Sequence, residues 1–159
     1  MTSQLDLEYM ELSMEEAKAA ARSNEVPVGA LLVRHGVILA KARNATINSK
    51  SALAHAELLA LEAALAGTGD RYLAGATLYT TLEPCSMCAG ALLLARVSRV
   101  VIAAVDPKSG AFGSLYNLAV DPRLNHSVEV CYGVLADEAS GLLRSFFESR
   151  RNSGSLPLE

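Results

Sequence analysis

Four side chains in this sequence have types and spacings that could do chemistry: His55, Glu57, Cys85 and Cys88. The cysteines stand three apart in Cys85-Ser-Met-Cys88, which in the first turn of a helix brings both sulfurs to one side. A helix N-terminus and a bound dication both favour the thiolate forms such ligands need. One histidine with two cysteines suits zinc, and three protein ligands leave one tetrahedral position open to water. A structural zinc site is normally closed by a fourth side chain, so this ligand count points to catalysis. Glu57 lies two residues after His55. In regular helix that spacing separates side chains by about 200°, so the pair belongs at a helix entrance, where side chains can curl over the end. A carboxylate beside the open position, and not itself a ligand, suits a proton shuttle.

The elements that must position these residues are legible from periodicity. Met10, Met14, Ala17 and Ala21 recur at steps of four, three and four, which predicts an amphipathic helix over residues 5–24. Two strands, 28–33 and 37–41, flank Arg34-His35-Gly36 as a hairpin. A polar loop from Asn44 to Ser51 leads into a helical run, 54–65, that ends at Gly67. A strand over 76–80 precedes a helix over 85–95, and Pro84 disfavours helical geometry at Glu83 and starts that helix cleanly. Residues 99–105 read as a buried strand from their continuous apolar run, and 106–116, rich in Gly and Ser, as a long loop. A strand over 128–132 and a closing helix over 137–151 complete the chain. Strands alternating with helices predict a three-layer α/β/α sandwich with a mixed sheet.

At 159 residues and 16.8 kDa the chain has room for one domain, expected over 1–151, with a flexible polar tail over 152–159. Its 51% apolar content and mean hydropathy of +0.25 exclude a disordered chain and suggest that a partner covers some apolar surface. No stretch approaches the 18 or so uninterrupted apolar residues of a membrane span. Acids stand near the N-terminus where a signal peptide would carry bases, so a cytoplasmic location is expected. Residues 1–25 hold six acids and two bases, a net of −4, so the other 134 carry +1 against the total of −3. The global positive excess of many nucleic-acid binders is absent, and any RNA contact must be local. No membrane partner and no nucleotide cofactor are expected.

Other readings compete for the same residues. Cys85 and Cys88 could form a redox pair, which leaves His55 and Glu57 unexplained. A closed structural zinc would need Cys131 or His126 as fourth ligand, yet Cys131 sits in an apolar strand and reads as a core thiol. Glu57 could be a helix-start carboxylate, Asn44 and Asp106 turn residues, and Arg150 with Arg151 a solvated helix end. His126 reads equally as a turn residue or an RNA contact, and His35 as exposed.

His55-Ala-Glu57, followed 27 residues later by Pro84-Cys-x-x-Cys88, matches the established signature of the zinc-dependent nucleobase deaminases. Glu25-Val-Pro-Val-Gly-Ala30, Asn44 eleven residues before His55, Asp106-Pro-Lys-Ser-Gly-Ala-Phe-Gly-Ser114, Asn125-His126, and Phe146-Phe147 followed by Arg150-Arg151 extend the match over nearly the whole chain. In these segments it resembles the bacterial tRNA-specific adenosine deaminases. The resemblance implies a cytidine-deaminase-like fold, one zinc per subunit, a homodimer, and conversion of the wobble adenosine of a tRNA anticodon loop to inosine. It further implies substrate contacts from Asn44, which would hydrogen-bond the flipped base, from Ala56, and from Asp106, which would contact a neighbouring ribose. The closing helix, with Phe147, Arg150 and Arg151, would lie along the anticodon loop.

Overall fold

The computed structural model describes residues 2–154. Its centre is one five-stranded sheet of β1 (Gly29–Arg34), β2 (Val37–Arg43), β3 (Ala76–Leu82), β4 (Arg99–Ala104) and β5 (Glu129–Tyr132), in the order β2-β1-β3-β4-β5. β1 runs antiparallel to both β2 and β3, while β3, β4 and β5 are mutually parallel. The sheet is therefore mixed, as expected. Four helices cover it: α1 (Gln4–Arg22), α2 (Ala56–Thr68), α3 (Ser86–Leu94) and α4 (Ala136–Ser153).

Two apolar layers explain why β1, β3 and β4 read as unbroken hydrophobic runs, since both of their faces are covered. On one face Leu32, Leu78, Val100 and Ile102 pack with Ala60 and Leu61 of α2 and Leu92 of α3. On the other, Leu31, Tyr79 and Val101 pack with Met10 and Met14 of α1 and Ala139 of α4. α1 starts with a reciprocal cap, in which the Ser3 hydroxyl accepts from the Asp6 N–H and the Asp6 carboxylate accepts from the Ser3 N–H. It lies so close to β1 that a Cβ at Gly29 would stand 2.0 Å from the Ser13 carbonyl oxygen.

Several boundaries differ from the sequence reading. α2 passes through Gly67 and stops at Gly69, whose φ of +72° makes the left-handed cap. The 106–116 segment is pinned by bridges between Cys85 and Gly110 and between Phe112 and Asn117, and a short 3₁₀ turn, Leu118–Val120, follows it. Three residues of turn are too few to leave a periodic signal. α4 spans Ala136–Ser153 where the sequence predicts the closing helix over 137–151, while 155–159 of the expected tail lie outside the described residues. Cys131 is half-buried on the short edge strand β5, packed against the α1 and α4 layer, and not fully enclosed. Among the described residues no helix is long and apolar enough to cross a membrane.

Candidate active site

The site forms where α2 and α3 begin, on the face of the sheet that those helices cover. His55 and Cys85 are the N-cap residues of α2 and α3, and both have extended backbones (φ −77°, ψ 147° and φ −72°, ψ 175°). Neither side chain caps its own helix, so imidazole and thiol are left to face each other. The extended backbone at His55 also removes the 200° separation that regular helix would impose on His55 and Glu57. Cys88 lies in the first turn of α3 and is fully buried.

The donor atoms of His55, Cys85 and Cys88 all lie within 4.8 Å of one another. His55 Nδ1 stands 3.5 Å from Cys85 Sγ and 3.6 Å from Cys88 Sγ. A tetrahedral zinc with bonds of about 2.0–2.1 Å to nitrogen and 2.3 Å to sulfur requires N···S separations of about 3.6 Å. The donor set fits that ion in chemistry and in size. Neither Cys131 nor His126 joins it. His126 instead donates its Nε2 proton to the Val97 carbonyl at 2.8 Å, a purely structural bond that favours the turn reading. His35 is exposed in its turn, as expected.

Protonation in the cluster is shared. Hydrogen bonding from the Cys88 thiol, and then from His55, brings the Cys85 thiol down to about 4, against the opposing effect of burial. The same bond to Cys85, with burial, pushes the Cys88 thiol up. The bond to Cys85 raises His55. A bound dication would displace the remaining thiol proton, since a coordinating thiol is deprotonated outright. Glu57 is 4% exposed, and burial pushes its carboxyl up to about 7.

A pocket of about 520 Å³ opens above this cluster, lined by His55, Ala56, Glu57, Cys85, Asn44 and Asp106 among others. Asn44 is 7% exposed; its Nδ2 donates to the Val26 carbonyl at 3.4 Å, and its Oδ1 is a buried acceptor without a partner among the described residues. Asp106 lines the rim, where its Oδ1 accepts from the backbone N–H groups of Lys108 and Ser109 and so closes its own turn. The closing-helix residues do not line the pocket. Arg150 donates to Asn24 Oδ1 at 2.6 Å and lies over the Phe146 ring, Phe147 packs half-buried against Phe146 with its ring edge-on, and Arg151 is exposed.

Two buried carboxylates escaped the sequence reading. Glu25 (1% exposed) and Glu83 (2% exposed) each hold a segment that forms the pocket rim. The available signal was an acid set directly beside apolar strand residues: Glu25 before Val26-Pro-Val28, and Glu83 at the end of the Ala76–Leu82 run.

A histidine and a cysteine at two helix N-termini, their side chains free to face each other over a mixed α/β sheet beside a buried glutamate, place the molecule among the zinc-dependent nucleobase deaminases. Residues 3–104 match the cytidine and deoxycytidylate deaminase zinc-binding region. A tRNA-specific adenosine deaminase of Bacillus subtilis is 48% identical over 143 residues, covering 90% of this chain and 89% of the relative. A structure from studies of A-to-I editing by tRNA:A34 deaminases at the wobble position of transfer RNA superposes with a TM-score of 0.83 at 39% identity, covering 86% of this chain and 99% of that one. A guanine deaminase from Nitrosomonas europaea superposes at 0.78 with 25% identity, covering 92% and 85%. The chain belongs to the cytidine and deoxycytidylate deaminase family, and within it to the tRNA-specific adenosine deaminases.

Proposed function

We propose that this protein deaminates the wobble adenosine of a tRNA anticodon loop to inosine, using one zinc per subunit held by His55, Cys85 and Cys88. The observation that carries the reading is the pocket itself: a space of about 520 Å³ bordered by His55, Cys85 and Glu57, with Cys88 completing the donor set, and by Asn44, whose Oδ1 is a buried acceptor with no partner among the described residues. A buried acceptor without a donor costs free energy until a ligand N–H or O–H supplies one. The higher identity to tRNA deaminases, 48% and 39% against 25% for the guanine deaminase, favours the macromolecular substrate.

Zinc bound by these three side chains supplies a Lewis acid that makes water a competent nucleophile near neutral pH. Glu57 carries the protons. It takes one proton from the attacking water and gives it to the adenine ring nitrogen beside C6, then takes the second from the hydroxyl added at C6 and delivers it to the amino group, which leaves as ammonia while C6 becomes the carbonyl. Asn44 and Ala56 orient the base by edge and by shape, and Asp106 receives the neighbouring ribose. Extruding the base from its stack costs a few kcal/mol, least in a single-stranded loop, which favours an anticodon hairpin over duplex RNA. Phe147, Arg150 and Arg151 supply stacking and phosphate contacts beyond the pocket. The exposed apolar side chains Leu94, Leu115, Tyr116 and Val120 support a homodimer that covers them, and the tRNA substrate supports a cytoplasmic location.

The test is inosine formation in an anticodon stem-loop with adenosine at the wobble position, run beside free adenosine, guanine and cytidine. Conversion of the stem-loop alone is expected. Conversion of a free base alone would retain the role of Glu57 and overturn every RNA contact.

A further inference from the structure

Neither rim segment of the pocket belongs to a regular element, yet each is held by one buried carboxylate. Glu25 Oε1 accepts from the Ile47 N–H at 3.0 Å, and its Oε2 accepts from the Asn48 N–H at 2.8 Å and from Asn48 Nδ2 at 2.7 Å. Glu83 Oε1 accepts from the Asp106 N–H at 3.0 Å and from the Ser114 hydroxyl, while its Oε2 accepts from the Phe112 and Ser114 N–H groups at 3.1 Å each. Both oxygens of both carboxylates are thus occupied by donors from the 44–51 and 106–114 segments, and no Lys or Arg pairs with either group in the salt bridges of the described residues. Charge-assisted bonds of this kind are roughly twice as strong as neutral ones, and a carboxylate with two accepting oxygens can gather several backbone donors at one point.

The packing around Glu83 is close. A Cβ at Gly110 would lie 2.3 Å from the Glu83 carboxylate and 2.6 Å from the Asp106 carbonyl oxygen, so the loop can approach only where a glycine stands. The Ala111 N–H donates to the Pro84 carbonyl at 2.9 Å, which docks the same loop on the turn that delivers Cys85. On the opposite rim, Ile47, whose N–H Glu25 holds, and its neighbour Thr46 both line the pocket.

We infer that Glu25 and Glu83 are positioning residues for the deamination. Glu25 fixes the 44–51 wall, which begins at Asn44, and Glu83 fixes the 106–114 wall, which begins at Asp106. Neither touches the reacting atoms. Each sets the width and orientation of the space in which the base and its neighbouring ribose must fit. The inference rests on the proposed use of this pocket for a nucleobase, but not on the nucleobase arriving in tRNA.

Glutamine is the discriminating substitution, because it turns one accepting oxygen into a donor facing N–H groups. The experiment compares Glu25→Gln and Glu83→Gln, as zinc-loaded full-length chains, with the wild type. Backbone amide exchange is measured without RNA, together with zinc content and with kcat and KM on the anticodon stem-loop. In Glu25→Gln, exchange at Ile47 and Asn48 should quicken by about tenfold while Phe112 and Ser114 stay protected; Glu83→Gln should give the reverse pattern. Zinc content should hold, and KM should rise about tenfold with kcat within about threefold. Asn48→Ala and Ser114→Ala, which each remove a single side-chain donor, should move the same readouts in the same direction by about threefold, and they serve if a glutamine variant fails to fold. Quickened exchange across the whole sheet would reduce both residues to general stability. An unchanged KM beside a loosened wall would overturn the positioning role. If the wild type converts a free base in place of the stem-loop, the tRNA reading fails separately, and KM for that base then decides this one.

Discussion

At the floor of the pocket, His55, Cys85 and Cys88 are delivered by two helix N-termini, and each residue is placed by the first few residues of its own element. At the rim, Asn44 and Asp106 are placed by segments without periodic structure, held from outside their own neighbourhoods: Glu25 acts across 22 and 23 residues and Glu83 across 23 to 31. Each floor residue is oriented by its own helix start, whereas each rim segment is held by a carboxylate remote in sequence. Chemistry common to a family of reactions can therefore sit on a rigid base, while the choice of substrate resides in loops that depend on a few buried acceptors.

The largest effect should come from breaking the floor without removing its metal. Glu57→Ala should retain zinc and lower kcat by roughly 10²–10⁴-fold, the range for loss of a general acid–base group. Zinc content by elemental analysis, beside single-turnover inosine formation, checks it. Zinc lost in parallel with activity would make Glu57 a ligand or a structural group and erase its distinction from His55. Asn44→Ala, at the base of one rim, should act chiefly through KM, by roughly tenfold, if Asn44 bonds the base as proposed. A fall in kcat as large as that of Glu57→Ala would place Asn44 functionally on the floor.

A region remote from both offers a control. Asp6 accepts from both Nη groups of Arg99, from the Tyr79 hydroxyl and from the Ser3 N–H, all beneath α1 on the opposite face of the sheet. The Arg99 guanidinium holds the Asp6 carboxyl well below the usual carboxylate range. A carboxyl lowered on folding contributes stability that is present above its unfolded pKa of about 3.9 and is lost as pH falls through the folded value. The wild type should therefore lose stability steeply below about pH 4. Asp6→Asn should cost on the order of 3 kcal/mol at neutral pH, a Tm lower by about 6–12 °C, and should flatten that acid limb. At a temperature where the variant is folded, kcat and KM should match the wild type. A changed KM would mean that the α1 face and the rim are coupled.

The difference between floor and rim also governs what the sequence reveals. His55, Glu57, Cys85 and Cys88 are legible because ligand chemistry imposes short spacings, and the strands β1, β3 and β4 because burial on both faces imposes long apolar runs. Glu25 and Glu83 are not legible as rim anchors, since a carboxylate that accepts from distant N–H groups leaves no periodicity of its own. The bound of α2 shifts from Gly67 to Gly69 for a related reason: both are glycines, and only the left-handed backbone at Gly69 separates a cap from a helical glycine. Asp106 reads as a turn opener, and it is one; its place on the pocket rim comes from Glu83 and Gly110, which are remote from it in type or position.

The smallest effect belongs to the outermost layer. Arg151 is exposed near the end of α4, whereas Arg150 is tied to Asn24, the neighbour of Glu25, and so touches the rim indirectly. If α4 follows an RNA backbone, Arg151→Ala should reduce the salt dependence of stem-loop binding by about 0.7 in log–log slope, the loss of one single-strand phosphate contact, and leave kcat unchanged. Arg150→Ala should show the same slope change and also a larger rise in KM, because Asn24 loses its partner and the Glu25 wall loses a support. Binding measured by titration across a range of salt concentrations separates the two variants. Equal KM effects would uncouple Arg150 from the rim. An unaltered slope in both would show that α4 lies away from the nucleic acid, with selectivity resting on the two carboxylate-held walls.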